Sequence, residues 1–278
     1  MVTENISERN YREMLDMIIN NEYIYPVYQP IISLADGQVF GYEALSRISG
    51  DSFLMHTEEL FTTADKLNRA WELEALCRTK ALKGAVDMGA GKKLFLNVNP
   101  NIIHDYGFRE GFTKDRLEEY GLDYRNIVFE ITERVAISDN SAFFNAIKHY
   151  KAQNYEIAID DVGAGYSGLN IIAMVKPNHI KLDMNLIRDI DKDETKQLLC
   201  KALVYFGKNA GIKLIAEGIE TAKELEMLIK FEVDFGQGYF LGIPKTQFSN
   251  IAPEKIKEIM SYNEKYQRTI PFVLKNAM

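Results

Sequence analysis

Residues 156–183 read EIAIDDVGAGYSGLNIIAMVKPNHIKLD, and the fold follows from how this stretch is divided. Residues 156–162 form an apolar extended run ending in Asp160 and Asp161, and the glycines from Gly163 to Gly168 break it. Residues 169–176 leave room for one short helix before Pro177, after which residues 179–183 are again extended and carry Lys181. Strand, helix and strand at this spacing make a parallel crossover unit with charge near the strand ends.

The same unit repeats outward in both directions. Extended runs are predicted at 24–32, 39–48, 93–99, 126–133, 213–219 and 233–239, which brings the total to eight. Amphipathic helical stretches at 139–153, 192–209 and 221–230 lie between them, several opening on a cap-like Asp, Thr or Ser. Alternation of this kind gives a parallel sheet with helices outside, and eight units favour closure over an open sheet. The exception is Asp36-Gly37 between the first two runs, a hairpin signal that makes that pair antiparallel. The predicted fold is therefore α/β, a modified TIM-type (β/α)8 barrel with an antiparallel first strand pair. The chain is read as one domain over 1–278, with a core at about 23–250. An opening helix at 7–20 precedes it, and a last helix or connector at 251–278 follows.

The runs carry Glu43, Asn97, Glu130, Asp160 with Asp161, Lys181, Glu217 and Gln237. Such groups are costly to bury unless they are paired or bound to a metal, so the repetition points to one site at the barrel mouth. Glu43, Asn97, Glu130 and Asp160 offer three carboxylates and a carboxamide oxygen, a donor set for Mg²⁺ or Mn²⁺ rather than zinc. Asp161 places a second carboxylate where another ion could share Asp160. Two ions about 3.5–4 Å apart would clamp a phosphodiester during in-line displacement. Lys181 could orient or help deprotonate a water, and Glu217 could be a water-mediated ligand or a general base. Singly, each has a plainer reading: Asn97 and Gln237 as turn residues, Lys181 as a counter-ion for Asp160, Glu43 or Glu217 as a salt-bridge partner.

Composition excludes other classes. The 278 residues are 46% apolar and 26% charged, as in an ordinary globular protein with a full core. No stretch has the length of a membrane span, and the polar start lacks a signal-peptide core, so a cytoplasmic location is expected. A net charge of −7 argues against DNA or RNA as a partner. Cys77 and Cys200 sit among apolar residues as core thiols, and the histidines show no zinc spacing. The glycines from Gly163 to Gly168 match a dinucleotide-binding pattern. However, Asp160 and Asp161 would repel a pyrophosphate, and the helix after them is short.

Motifs in fixed order carry a family resemblance. Glu43-Ala44-Leu45, within Tyr42 to Arg47, is joined by Tyr28-Gln29-Pro30-Ile31, Asn97-Val98-Asn99-Pro100 and Glu130-Ile131-Thr132-Glu133. The stretch from Asp160 to Ser167 follows, then Ile180-Lys181-Leu182-Asp183, Ala216 to Thr221 and Gln237-Gly238-Tyr239. From about Tyr23 to Pro244 the chain resembles the EAL family of cyclic di-GMP phosphodiesterases.

The resemblance implies hydrolysis of cyclic di-GMP to linear pGpG with two Mg²⁺ or Mn²⁺ ions. By matched motif, Glu43, Asn97, Glu130 and Asp160 would bind the first metal, and Asp160 and Asp161 the second. Lys181 and Glu217 would handle the water. Arg47 would contact a substrate phosphate, Gln29 and Gln237 would lie near substrate or water, and Glu133 would anchor the glycine loop. A homodimer and a fused or associated sensory domain are further implications. The chain departs from the family pattern at Ser46, Val162 and Gly168, the last two flanking that loop. These departures keep open an alternative, a catalytically weak or inactive cyclic di-GMP receptor.

Overall fold

The computed structural model describes residues 2–49, 56–132, 140–163 and 168–267. Eight strands close into a barrel in chain order: β1 Ile24–Ser33, β2 Val39–Ile48, β3 Lys93–Asn97, β4 Ile127–Thr132, β5 Glu156–Val162, β6 His179–Leu182, β7 Lys213–Ala216 and β8 Phe235–Gly236. The β1–β2 pair is antiparallel, with Gln29 opposite Glu43. β1 also runs antiparallel to β8, so it is inverted against both neighbours, and the remaining pairs are parallel. The turn responsible has Gly37 at φ 72°. Asp36 accepts from the Gln38 amide at 3.1 Å, which is the local chemistry of a tight turn.

Around the barrel lie α1 Val2–Asn20, α2 Thr57–Lys66, α3 Ala70–Gly84, α4 Phe112–Tyr120, α5 Asn140–Ala152, α6 Gly168–Val175, α7 Met184–Ile187, α8 Glu194–Ala210, α9 Ala222–Lys230 and α10 Pro253–Lys265. Some helices start on a side-chain cap: the Asp193 carboxylate accepts from the Thr195 and Lys196 amides at the head of α8. α1 belongs to a satellite core with α2 and α3, in which Leu15 and Ile18 meet Leu60, Ala64, Leu73 and Cys77. Cys77 and Cys200 are both buried and free. Among the described residues, no helix is long and apolar enough to cross a membrane.

The barrel interior is layered because strand side chains alternate with period two. Ile31, Phe95, Val128, Ala158 and Ile215 form a dry plug, with Phe40 and Phe235 packed against it. Two residues further along β3, β4, β5, β7 and β8 come Asn97, Glu130, Asp160, Glu217 and Gln237, and two residues back along the inverted β1 comes Gln29. The polar residues are therefore one layer of the barrel, directly above an apolar one.

Candidate active site

Lys181 stands at the centre of the polar layer with its side chain 1% exposed. Its Nζ lies 2.6 Å from Glu217 Oε1, 2.9 Å from Glu130 Oε1, 3.3 Å from Glu43 Oε2 and 3.4 Å from Asp160 Oδ1. The plainer readings hold only in part: Lys181 is a counter-ion for Asp160, as read, but equally for Glu43, Glu130 and Glu217, so β2, β4, β5 and the end of β7 converge on one ammonium. Glu43 is further held by Asn97 Nδ2 at 2.9 Å and Gln237 Nε2 at 2.8 Å. Gln237 Nε2 also donates to Gln29 Oε1 at 3.1 Å, and Gln29 Nε2 donates to the Gly242 carbonyl at 3.1 Å. Gln29 reaches this level from the middle of β1 rather than from a strand end, because β1 is inverted. Glu43 likewise lies mid-strand, since β2 runs on past it to Ile48, still paired with the start of β1 at Ile24.

Asp160 and Asp161 sit where the β5–β6 register shifts between Ile159 and Val162. Asp161 takes φ 59°, and its amide donates to Asp160 Oδ1 at 3.0 Å. A bulge of this kind re-aims one side chain without ending the strand. Carboxylate oxygens of Asp160, Asp161 and Glu217 come within 4.8 Å of one another. Arg47 is not drawn into the layer. It lies on β2 beyond Leu45, donates to the Ser46 carbonyl at 2.8 Å, and lines a cavity of about 680 Å³ between the rim, α2 and α3. A smaller cavity of about 320 Å³ lies over Glu43, Asp161, Glu217 and Gln237, and Leu45 borders both. Glu133, read from sequence as a loop anchor, lies outside the described residues, as do residues 164–167 of the glycine loop. Tyr239, read from sequence only as the end of the Gln237-Gly238-Tyr239 motif and given no role there, is 68% exposed on the wall of the smaller cavity.

The electrostatics leave this layer short of positive charge. Burial alone would strip Lys181 of its proton, but Asp160, Glu130, Glu217 and Glu43 hold it well above the usual lysine range. Burial also opposes ionisation of Glu43, yet the ammonium and the bonds from Gln237 and Asn97 keep that carboxyl below its ordinary value. Glu130 goes the other way: burial and then the Glu43 charge raise it well above the carboxylate range. Burial, opposed by Lys181, pushes Glu217 up to about 8.

Both Glu130 oxygens are buried without a hydrogen bond. The 2.9 Å approach to Lys181 is an ion pair whose angle does not make one. A buried carboxylate without donors, among four acids that share one ammonium, suits a hard divalent cation. The residues present therefore fit a metal site built from oxygen ligands.

A family model described as the EAL domain matches residues 10–244. The chain is 26% identical over 248 residues to the probable cyclic di-GMP phosphodiesterase PdeG of Escherichia coli, covering 84% of this chain and 47% of that protein. It spans about half the length of the curated relatives it matches, from 29% to 58% in three of them. Among solved structures, a standalone EAL protein of Vibrio cholerae O395 in its c-di-GMP-bound form superposes with TM-score 0.72 at 30% identity, covering 83% of this chain and 96% of that one. BlrP1 of Klebsiella pneumoniae, in complex with calcium and cyclic di-GMP, gives TM-score 0.73 at 27% identity, covering 82% and 58%. With the family model spanning the whole barrel and the polar layer inside that span, the chain belongs to the EAL domain family.

Proposed function

We propose that this chain hydrolyses cyclic di-GMP to linear pGpG with two divalent cations, Mg²⁺ or Mn²⁺. The observation that carries the reading is the donor-poor, acid-rich layer around Lys181, above all the unbonded Glu130 carboxylate. Glu43, Asn97, Glu130 and Asp160 would hold one ion, and Asp160 with Asp161 the other. Bound there, the ions would lower the pKa of a water and stabilise charge building on the phosphodiester oxygens.

The chain's own groups divide the remaining work. Lys181, held as an ammonium, has no lone pair to accept a proton; it donates to and orients what lies beside it. Burial pushes Glu217 up to about 8 in the metal-free layer, so it would be free to accept a proton only once bound cations draw off its own. As a carboxylate it would then have the lone pair that the Lys181 ammonium lacks, which favours it as the base. Arg47 on the wall of the larger cavity offers a fixed cation to a phosphate. Gln237 holds Glu43 and is bonded in turn to Gln29, and both face the smaller cavity, where they would orient substrate or water.

Pairing with a second copy belongs to the same proposal. On α6, Ile171, Ile172 and Val175 cover the barrel, whereas Leu169 and Met174 stand 65% and 66% exposed and would meet a partner. A cytoplasmic setting and an attached or associated sensory domain complete the reading.

Turnover tests it. Purified protein is incubated with cyclic di-GMP and Mn²⁺ or Mg²⁺, with an EDTA control, and the nucleotides are separated by chromatography. Linear pGpG that appears only with metal is the expected result. Intact nucleotide that nevertheless binds would make the chain a receptor, and neither binding nor cleavage would remove cyclic di-GMP as its ligand.

A further inference from the structure

Glu224, on α9, is 2% exposed and belongs to no part of the polar layer. Its Oε2 accepts the amides of Glu220 and Thr221, each at 3.0 Å, and its Oε1 accepts the amide of Asp189 at 3.0 Å. The Glu224 amide in turn donates to Thr221 Oγ1 at 3.2 Å, completing a capping box. A capping box needs only the bond to the Thr221 amide. The other two reach beyond the helix. Glu220 lies three residues after Glu217 on the loop leaving β7, and Asp189 lies just past α7 on the connection that follows β6, the strand that carries Lys181.

Those two loops leave each other no slack. The Glu217 amide donates to the Leu182 carbonyl at 3.1 Å. Gly218, at φ +65°, is so close that a Cβ there would stand 2.5 Å from Met184 Cβ. A second side-chain link between these connections is the Arg188–Glu220 ion pair at 2.6 Å, with side chains 41% and 42% exposed. An exposed pair contributes little, whereas a buried carboxylate accepting three amides is the stronger restraint.

We infer that Glu224 is a positioning residue that fixes Glu217 against Lys181 by clamping the β6 and β7 loops together. The inference rests on the phosphodiesterase reading, because it assigns Glu217 a part in the reaction. A displacement of about 1 Å at a reacting group costs on the order of 10²-fold in rate. The effect belongs mainly in kcat, since the group displaced, Glu217, is assigned to the proton and not to holding the substrate.

The test compares Glu224→Ala, Glu224→Gln and Arg188→Ala with the parent in the full chain. Steady-state cyclic di-GMP hydrolysis with Mn²⁺ is read beside amide hydrogen exchange at Asp189, Glu220 and Thr221. Glu224→Ala is expected to lower kcat roughly 10- to 100-fold with KM within about threefold, and to speed exchange at all three amides. Glu224→Gln keeps one acceptor oxygen and falls between, and Arg188→Ala matches the parent. Parental kcat in Glu224→Ala, or an equal fall in all three variants, overturns the clamp. Should Glu224→Ala fail to fold, Glu224→Gln decides by the same split between kcat and KM. Should the parent itself be inert, the phosphodiesterase reading has failed, and unchanged exchange in Glu224→Gln would separately overturn the clamp.

Discussion

Asp160→Asn is expected to abolish metal-dependent turnover while leaving the metal-free protein at least as stable as the parent. The two effects have opposite signs for one reason. Asp160 is one of four carboxylates facing a single ammonium, so removing its charge relieves repulsion in the absence of a cation. In the proposed reaction the same charge is shared between both ions. Losing it withdraws several kcal/mol of transition-state stabilisation, about 10³-fold in kcat or more. The carboxamide oxygen can still accept from the Asp161 amide, so the bulge survives the substitution. Activity assays and thermal unfolding in EDTA check the pair of outcomes. Full activity would remove Asp160 from the metal site, and a large drop in metal-free stability would mean that its charge is a structural necessity.

Lys181→Met reverses the electrostatic effect and carries the largest stability change expected of any single substitution in the layer. The side chain is 1% exposed, and the methionine replaces its volume but not its charge. Four acids then share the layer with no cation, and breaking a buried ion pair on one side costs about 3–5 kcal/mol. The loss depends on pH. Glu217 already sits at about 8 with the ammonium present. Its native form therefore keeps a proton that the unfolded chain releases near 4.5, so its contribution to stability is full below about pH 4.5 and declines as pH rises through 8. Without Lys181 the Glu217 window extends further upward, and Glu43, which the ammonium holds below its ordinary value, is left to burial and joins the groups that lose stability as pH rises above about 4.5. The gap between parent and variant should thus be wider at pH 8 than at pH 5 in EDTA, and Mn²⁺ should narrow it. Equal unfolding midpoints at pH 8 would show that the ammonium is not what holds the layer together.

Much of the fold was legible because it is local. β2 and β5 occupy the runs read from sequence, residue for residue, since apolar alternation fixes both ends. The inverted first strand followed from Asp36-Gly37. β7 and β8 came out shorter than read, at Lys213–Ala216 and Phe235–Gly236. Gly218, at φ 65°, ends the β7 ladder, and the chain continues by single bonds such as Ile219 N–H to the Gln237 carbonyl at 3.1 Å.

The candidate site was legible as a set of residues but not as an arrangement. That Lys181 faces four acids at once depends on barrel closure and strand stagger, which no window of sequence contains. The separate aim of Asp161 comes from a bulge that its neighbours do not announce. Glu224 had a signal: Thr221 three residues before it is the capping-box pattern. Its bond to Asp189, 35 positions away, has no counterpart in local sequence.

The central claim is that the polar layer is a cation site, and anomalous diffraction from crystals grown with Mn²⁺ tests it most directly. The account predicts two manganese peaks in the barrel mouth, one against Glu43, Asn97, Glu130 and Asp160, the other against Asp160 and Asp161. A layer without manganese, in which Lys181 still holds all four carboxylates at saturating metal, would contradict it.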